Sequence, residues 1–240
     1  MKNFKDKISI IVVAYDQPEL LKNNLVSLVE NTSYKNFEII ISHNRTNASI
    51  EGKVKEVYIY LNNLYPKIFS YVLNNKNLKF GPGIMEGFKL STGELICVLN
   101  DDTFFPPEYS DWLEKLVNFV NEDLYIATLT PSMYHKSHTV YWIGKKNPAK
   151  PLHDFLHVKE NHPSLPTEPY EVCYNNMACC LIRRELIEEF PIGSDYAHYG
   201  SDSGFCSRVK AKYPKMKHMI LPEAKIIHFN SYDKRNLFTK

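Results

Sequence analysis

Residues 8–15, Ile-Ser-Ile-Ile-Val-Val-Ala-Tyr, are a nearly unbroken β-branched run near the start of a 240-residue chain. A strand with one wet face alternates apolar and polar side chains, so a continuous run marks a strand covered on both faces. The next segment changes period. Pro18 opens residues 18–30, where Leu21, Leu25 and Leu28 fall on one helical stripe. The pattern then repeats: strands are predicted at 37–42, 68–73 and 94–99, and helices at 52–61, 81–90 and 109–121. Alternation of this kind requires a mainly parallel sheet with helices on both faces.

The second half is less regular. Residues 145–169 hold five prolines and three histidines without a period, and read as a long loop. Strands are predicted at 172–175, 178–182, 219–221 and 224–228, with helices at 184–190 and 203–213. No internal repeat or low-complexity linker divides the chain, so a single domain is expected.

Composition removes several function classes. A net charge of +2 lacks the basic excess that nucleic-acid binding requires, so no nucleic-acid partner is expected. No apolar run is long enough to span a bilayer, and 8–15 is too short for a signal peptide. Five cysteines without CxxC spacing fit reduced thiols in the cytoplasm rather than a disulfide framework or a zinc site. Asn31, Asn44 and Asn47 each begin an N-x-S/T triplet, a pattern too short to carry weight.

Ligands of parallel α/β sheets bind beyond the carboxyl ends of the strands. Tyr15-Asp16-Gln17-Pro18 lies there after the first strand, and Asn100-Asp101-Asp102-Thr103 after the strand at 94–99. Adjacent carboxylates repel unless a cation or donors offset them. Mg2+ and Mn2+ take carboxylate and phosphate oxygens together, which gives the Asp pair a metal reading. A turn leading into a helix at Pro106-Pro107 is the alternative. Asp202, in Tyr199-Gly200-Ser201-Asp202-Ser203, reads as a helix cap or as a general base. His228, after the apolar residues 224–227, reads as a structural histidine or a metal ligand. The histidines at 135, 138, 153, 157 and 162 show no ligand spacing.

Six segments, in order over residues 7–230, resemble the family 2 glycosyltransferases and their rhamnosyltransferase-like branch. These are Ser9-Ile10-Ile11-Val12-Val13-Ala14-Tyr15 with Pro18-Glu19-Leu20-Leu21; Phe37-Glu38-Ile39-Ile40-Ile41; Ser91-Thr92-Gly93-Glu94 through Asn100-Asp101-Asp102-Thr103 and Pro106-Pro107-Glu108; Cys180-Leu181-Ile182-Arg183-Arg184-Glu185; Tyr199-Gly200-Ser201-Asp202; and Leu221-Pro222-Glu223-Ala224-Lys225-Ile226-Ile227-His228. The resemblance implies a GT-A fold, a Rossmann-like mainly parallel mixed sheet flanked by helices. It divides the domain into a nucleotide-sugar half at about 1–104 and an acceptor half at about 105–240.

The resemblance also implies roles. Asp102 and His228 would hold Mn2+ or Mg2+, Asp101 would contact the ribose or the metal's water shell, and Asn100 holds the first position of that motif. Tyr15 would line the base pocket, and Asp202 would take the acceptor proton. The implied enzyme is an inverting hexosyl- or deoxyhexosyl-transferase. It would move sugar from a nucleoside-diphosphate donor to a glycan or lipid-linked saccharide acceptor in surface polysaccharide synthesis, in the cytoplasm and peripherally at the inner face of the membrane.

Four departures stand out. Ser42-His43-Asn44 replaces the usual Asp that meets the nucleobase, which makes His43 and Asn44 the candidates for that contact. Ser201 and Gly204 stand where the acceptor motif usually has acidic residues, and Glu86 where Asn is common. The weakened acceptor motif motivates one rival, an inactive GT-A domain that binds a glycan or a partner. A second rival, a sugar nucleotidyltransferase, normally carries a Gly-rich basic loop after the first strand, unlike Ala14-Tyr15-Asp16-Gln17-Pro18.

Overall fold

The computed structural model describes residues 6–142 and 158–229. Much of the segment 145–169, with His153 and His157, lies outside the described residues. The described strands form one ten-stranded sheet: β1 (Ile8–Ala14), β2 (Phe37–His43), β3 (Phe69–Leu73), β4 (Leu95–Asn100), β5 (Thr103–Phe104), β6 (Ile126–Tyr134), β7 (Val140–Trp142), β8 (Tyr170–Val172), β9 (Cys179–Arg183) and β10 (Lys217–His228). The main order is β3-β2-β1-β4-β9-β6-β10-β5, with β7 on β6 and β8 on β10. β1 pairs in parallel with β2 and β4, and β2 with β3. β9 runs antiparallel between β4 and β6, and β10 is parallel to β6. The order reverses beside β1, which opens a crevice at the carboxyl ends of β1 and β4.

The helices are α1 (Pro18–Asn31), α2 (Ala48–Leu64), α3 (Phe80–Phe88), α4 (Trp112–Glu122), α5 (Arg184–Glu189) and α6 (Ser201–Lys212). Strand periodicity divides the interior into two cores. Ile8, Ile10, Val12 and Ala14 of β1 pack with Leu21, Leu25 and Leu28 of α1, Val54 and Leu61 of α2, and Trp112 and Leu116 of α4. Ile11 points the other way, with Ile40, Ile96 and Val98, toward Ile84 of α3, Ile187 of α5, and Phe205 and Val209 of α6. This is why the strands read as continuous apolar runs: each buries both faces.

Three differences from the sequence reading have physical causes. β6 has no predicted counterpart because Thr128, Thr130, Pro131 and Ser132 break its apolar pattern, yet every residue is buried. Its hydroxyls are satisfied internally: Thr128 Oγ1 meets His218 Nδ1 at 2.8 Å and receives Asn175 Nδ2 at 2.9 Å. Burial pushes the His218 pKa down to about 4, so its imidazole is a neutral member of this network. Second, 217–228 is one strand rather than two. Its register on β6 jumps between Leu221, opposite Pro131, and Lys225, opposite Ser132. Pro131 and Pro222 both lack an N–H for the ladder, and the bulge falls where they meet. Third, the strand expected at 172–175 lies at Tyr170–Val172, because Asn175 is used as the internal hydrogen-bond partner described above.

One close approach sets the site's rim. The loop before α6 crosses the start of α3, where Gly81 N donates to Ala197 O at 2.9 Å. A Cβ on Gly81 would lie 2.5 Å from Gly193 Cα. Arg208 of α6 holds the same loop through Ser194, Asp195 and the Pro191 carbonyl. Gly81→Ala is expected to cost about 1–3 kcal/mol of stability through overpacking, read as a lowered urea midpoint at unchanged slope. An unchanged midpoint would mean that the loop does not press on α3.

Candidate functional site

The carboxyl ends of β1, β2 and β4 open into a cleft of about 450 Å³. Tyr15, Asp16 and Gln17 line it from β1, Asn44 from β2, and Asn100, Asp101 and Asp102 from β4. Lys79, Phe80 and His198 line the opposite side. Five of the predicted site residues therefore share one cavity.

The turn at Asp101 and Asp102 leads first into the two-residue β5, and a 3-10 helix then begins at Pro107, so the turn-to-helix reading describes the backbone here as well. β5 pairs antiparallel with the end of β10, placing Thr103 opposite His228 and Phe104 opposite Ile227. Phe229 N donates to Asp102 O at 2.8 Å. Residues 126 positions apart thus meet: His228 Nε2 lies 3.2 Å from Asp102 Oδ1 and 3.3 Å from Asn100 Nδ2. Asp102 and His228 are buried, at 6% and 4% exposure. Tyr141 of β7 stacks on the His228 ring, with centroids 4.2 Å apart and planes at 19°. Burial, and then the Asp102 charge, hold the Tyr141 hydroxyl above its usual pKa.

This donor set fits a hard divalent cation. Ligands in neighbouring positions of an octahedral Mg2+, each at roughly 2.1 Å, lie about 3 Å apart, close to the observed N···O spacing. With its proton on Nδ1, His228 presents the Nε2 lone pair toward the same point as the carboxylate. Among the described residues no group of three or more His, Cys, Asp or Glu side chains is placed to hold a metal ion, so the protein would supply two such ligands. Mg2+ commonly takes one or two protein ligands and completes its shell with water and phosphate.

Asn24, a buried α1 residue that the sequence reading passed over as part of a helical face, fixes this turn. Its Nδ2 donates to Asn100 O at 3.2 Å and to Thr103 O at 2.9 Å. A polar residue inside an apolar helical stripe was the available signal. Tyr141 and Lys79 were missed as well, since neither lies in a recognisable motif.

His43 and Asn44, the candidates for the nucleobase contact, differ in their access to the cleft. His43 is fully buried and does not line the cleft, and its Nδ1 meets Tyr71 OH at 2.8 Å. Burial lowers its pKa, leaving a neutral ring. Asn44 touches the cleft while bracing its rim: Nδ2 donates to Lys79 O at 3.0 Å, and Oδ1 accepts from Asn74 Nδ2 at 3.1 Å and Leu78 N at 3.2 Å. The other two asparagines of the N-x-S/T triplets also have structural partners: Asn31 donates to Phe105 O, and Asn47 caps α2.

Asp202 lines an adjoining pocket of about 200 Å³ with Asn176, Met177, Tyr199 and Ser201. It is the second residue of α6, whose N-cap is Gly200 at φ 85°, so Asp202 is not the cap. Ser203 N donates to its Oδ1 at 2.7 Å, and the N-terminal field of the helix favours negative charge there. Phe80, Asn100 and His198 line both this pocket and the larger cleft. The two cavities meet along that seam.

The cleft adjoins a smaller pocket with a carboxylate, and comparison with known proteins gives the chain a family. The Glycosyl transferase family 2 model matches residues 9–190. The chain belongs to glycosyl transferase family 2. Among solved structures it is similar to the mannosyltransferase PcManGT from Pyrobaculum calidifontis in complex with GDP-Man and Mn2+, with TM-score 0.66 and 14% identity over 94% of this chain and 57% of that one. It is also similar to GalNAc-T7 with UDP, GalNAc and Mn2+, with TM-score 0.71 and 14% identity over 94% of this chain and 43% of that one. The chain thus spans about half the length of these proteins, and the likeness establishes the GT-A-type mixed sheet. No curated protein sequence matches. Among the described residues, no helix is long and apolar enough to cross a membrane.

Asn24→Ala would leave the Asn100 and Thr103 carbonyls without their buried donor, at about 1–3 kcal/mol. Chemical denaturation should show that loss as a lowered midpoint. An unchanged midpoint would mean that Asn24 does not fix the Asp101-Asp102 turn.

Proposed function

We propose that this family 2 chain is a metal-dependent, inverting glycosyltransferase that moves a hexosyl or deoxyhexosyl group from a nucleoside diphosphate to a saccharide hydroxyl. The supporting observation is the Asp102–His228 pair at the mouth of the β1–β4 crevice, with the Asp202 pocket next to it. Both similar structures bind Mn2+ with a nucleotide or nucleotide sugar, which favours the same ligand class here. In this reading residues 1–104 hold the donor and residues 105–240 the acceptor, although His228 reaches back to complete the donor side.

Asp102 and His228 would hold Mn2+ or Mg2+, Tyr15 would face the nucleobase, Asp101 the ribose or metal-bound water, and Asn100 the boundary with the sugar. A bound divalent ion supplies charge neutralisation to the departing diphosphate. Lys79, exposed in the cleft, adds a cation near the same group. Asp202 accepts the proton of the attacking hydroxyl as its oxygen displaces the diphosphate at the anomeric carbon. His43 supports the base pocket from beneath through Tyr71, and Asn44 contributes as a rim brace. A rhamnosyltransferase-like specificity, a glycan or lipid-linked acceptor presented at a membrane, and a place in surface polysaccharide synthesis complete the proposal. The retained Asp102–His228 pair favours an active enzyme over an inactive binding module.

Donor hydrolysis or transfer should require Mn2+ or Mg2+ and fall to background in Asp102→Ala. Asp202→Asn should lose about 10²–10⁴-fold in kcat while still binding nucleoside diphosphate by calorimetry. Full turnover of Asp102→Ala would refute the metal assignment, and full turnover of Asp202→Asn the base assignment.

A further inference from the structure

The seam between the two cavities contains an ionisable side chain outside the motifs of the family resemblance. His198 lines both the donor cleft and the Asp202 pocket, a position it shares only with Phe80 and Asn100 among the lining residues of those two cavities. Its backbone is fixed from both sides. Gly81 N, in α3, donates to the neighbouring Ala197 O at 2.9 Å. Ser201, in α6, donates to His198 O from its N at 3.2 Å and from its Oγ at 2.8 Å. Ser201 stands where a glutamate is usual, and here its hydroxyl locks the backbone of His198. The imidazole is exposed, and its closest ring neighbour is Tyr199, with centroids 4.4 Å apart.

Charge decides what this side chain can face. Asp16, Asp101 and Asp102 line the donor cleft, and the basic side chains of that lining are Lys79 and His198. A departing diphosphate gains negative charge in the transition state, and donors aimed at developing charge are the main source of stabilisation in such sites. Asp202 already offers a proton acceptor on the other side, so a second base at the seam would be redundant.

We propose that His198 is a further catalytic residue, whose imidazole N–H hydrogen-bonds the β-phosphate of the nucleoside-diphosphate donor and holds it as it leaves. This rests on the glycosyltransferase reading above. In the step, the acceptor oxygen bonds to the anomeric carbon and its proton passes to the Asp202 carboxylate. The bond from the anomeric carbon to the β-phosphate oxygen breaks, its electron pair stays on that oxygen, and the His198 hydrogen bond strengthens without proton transfer.

The test is calorimetry of the full chain with Mn2+ and GDP, UDP and dTDP, each beside its monophosphate, followed by kinetics on the diphosphate sugar whose nucleotide binds. His198→Ala should weaken the preferred diphosphate about 10-fold, leave the monophosphate unchanged, and lower kcat about 10²–10³-fold with little change in acceptor KM. His198→Gln, which keeps an N–H donor, should recover part of both, and an unchanged thermal midpoint excludes misfolding. If His198→Ala binds diphosphate and turns over like the wild type, this inference fails while the glycosyltransferase reading stands. If the wild type binds none of the diphosphates, the donor reading fails and takes this inference with it. Equal weakening for diphosphate and monophosphate would place His198 away from the β-phosphate and overturn the proposal.

Discussion

The pairing of β10 with β5 is the constraint on which the site depends. Two residue pairs, Thr103 with His228 and Phe104 with Ile227, bring the end of the described chain against the turn that follows β4. Without that pairing Asp102 would be one of two adjacent carboxylates on a turn. With it, a carboxylate and an imidazole converge at 3.2 Å in a buried setting, where an uncompensated charge is costly. Asn24 fixes the turn from below, Tyr141 covers the histidine, and the Phe229 amide holds the Asp102 carbonyl. Each of these supports comes from a different element.

The same economy governs the rim. The loop before α6 passes over α3 so closely that Gly81 and Gly193 leave no room for a Cβ. That contact ties the loop before α6 to α3, and carries Ala197 and His198 to the point where the cavities meet. Ser201 and Gly204 have structural roles there. Ser201 caps the carbonyl of His198, and a Cβ on Gly204 would lie 3.1 Å from Asp195 Oδ2, so the small residue accommodates the side chain that Arg208 grips.

The Rossmann-like half was readable because its physics is local. A strand buried on both faces must be apolar throughout, and β1, β2 and β4 are; leucines at helical spacing gave α1 for the same reason. β6 was not readable, because its threonines are satisfied by His218 and Asn175, partners more than 40 residues away. β10 read as two strands because Pro222 and Glu223 break its apolar run, at the point where its register on β6 shifts. At the site, Asn100, Asp101 and Asp102 were visible as a charged turn after a buried strand. Sequence spacing could not reveal that β5 delivers His228 to them, or that burial removes His43 from the cleft and sets Asn44 to bracing a loop. Asn24, Lys79, Tyr141 and His198 owe their places to tertiary contacts, and no short pattern announces them.

On the proposed function, Asp102 and His228 together hold the cation that meets the donor diphosphate. Anomalous scattering from a crystal soaked with Mn2+ and a nucleoside diphosphate measures this directly. One strong manganese peak is expected at about 2.0–2.3 Å from an Asp102 carboxylate oxygen and from His228 Nε2, in contact with phosphate oxygens. A peak on Asp101 or Asp202 with His228 out of reach, or bound diphosphate without manganese between Asp102 and His228, would contradict it.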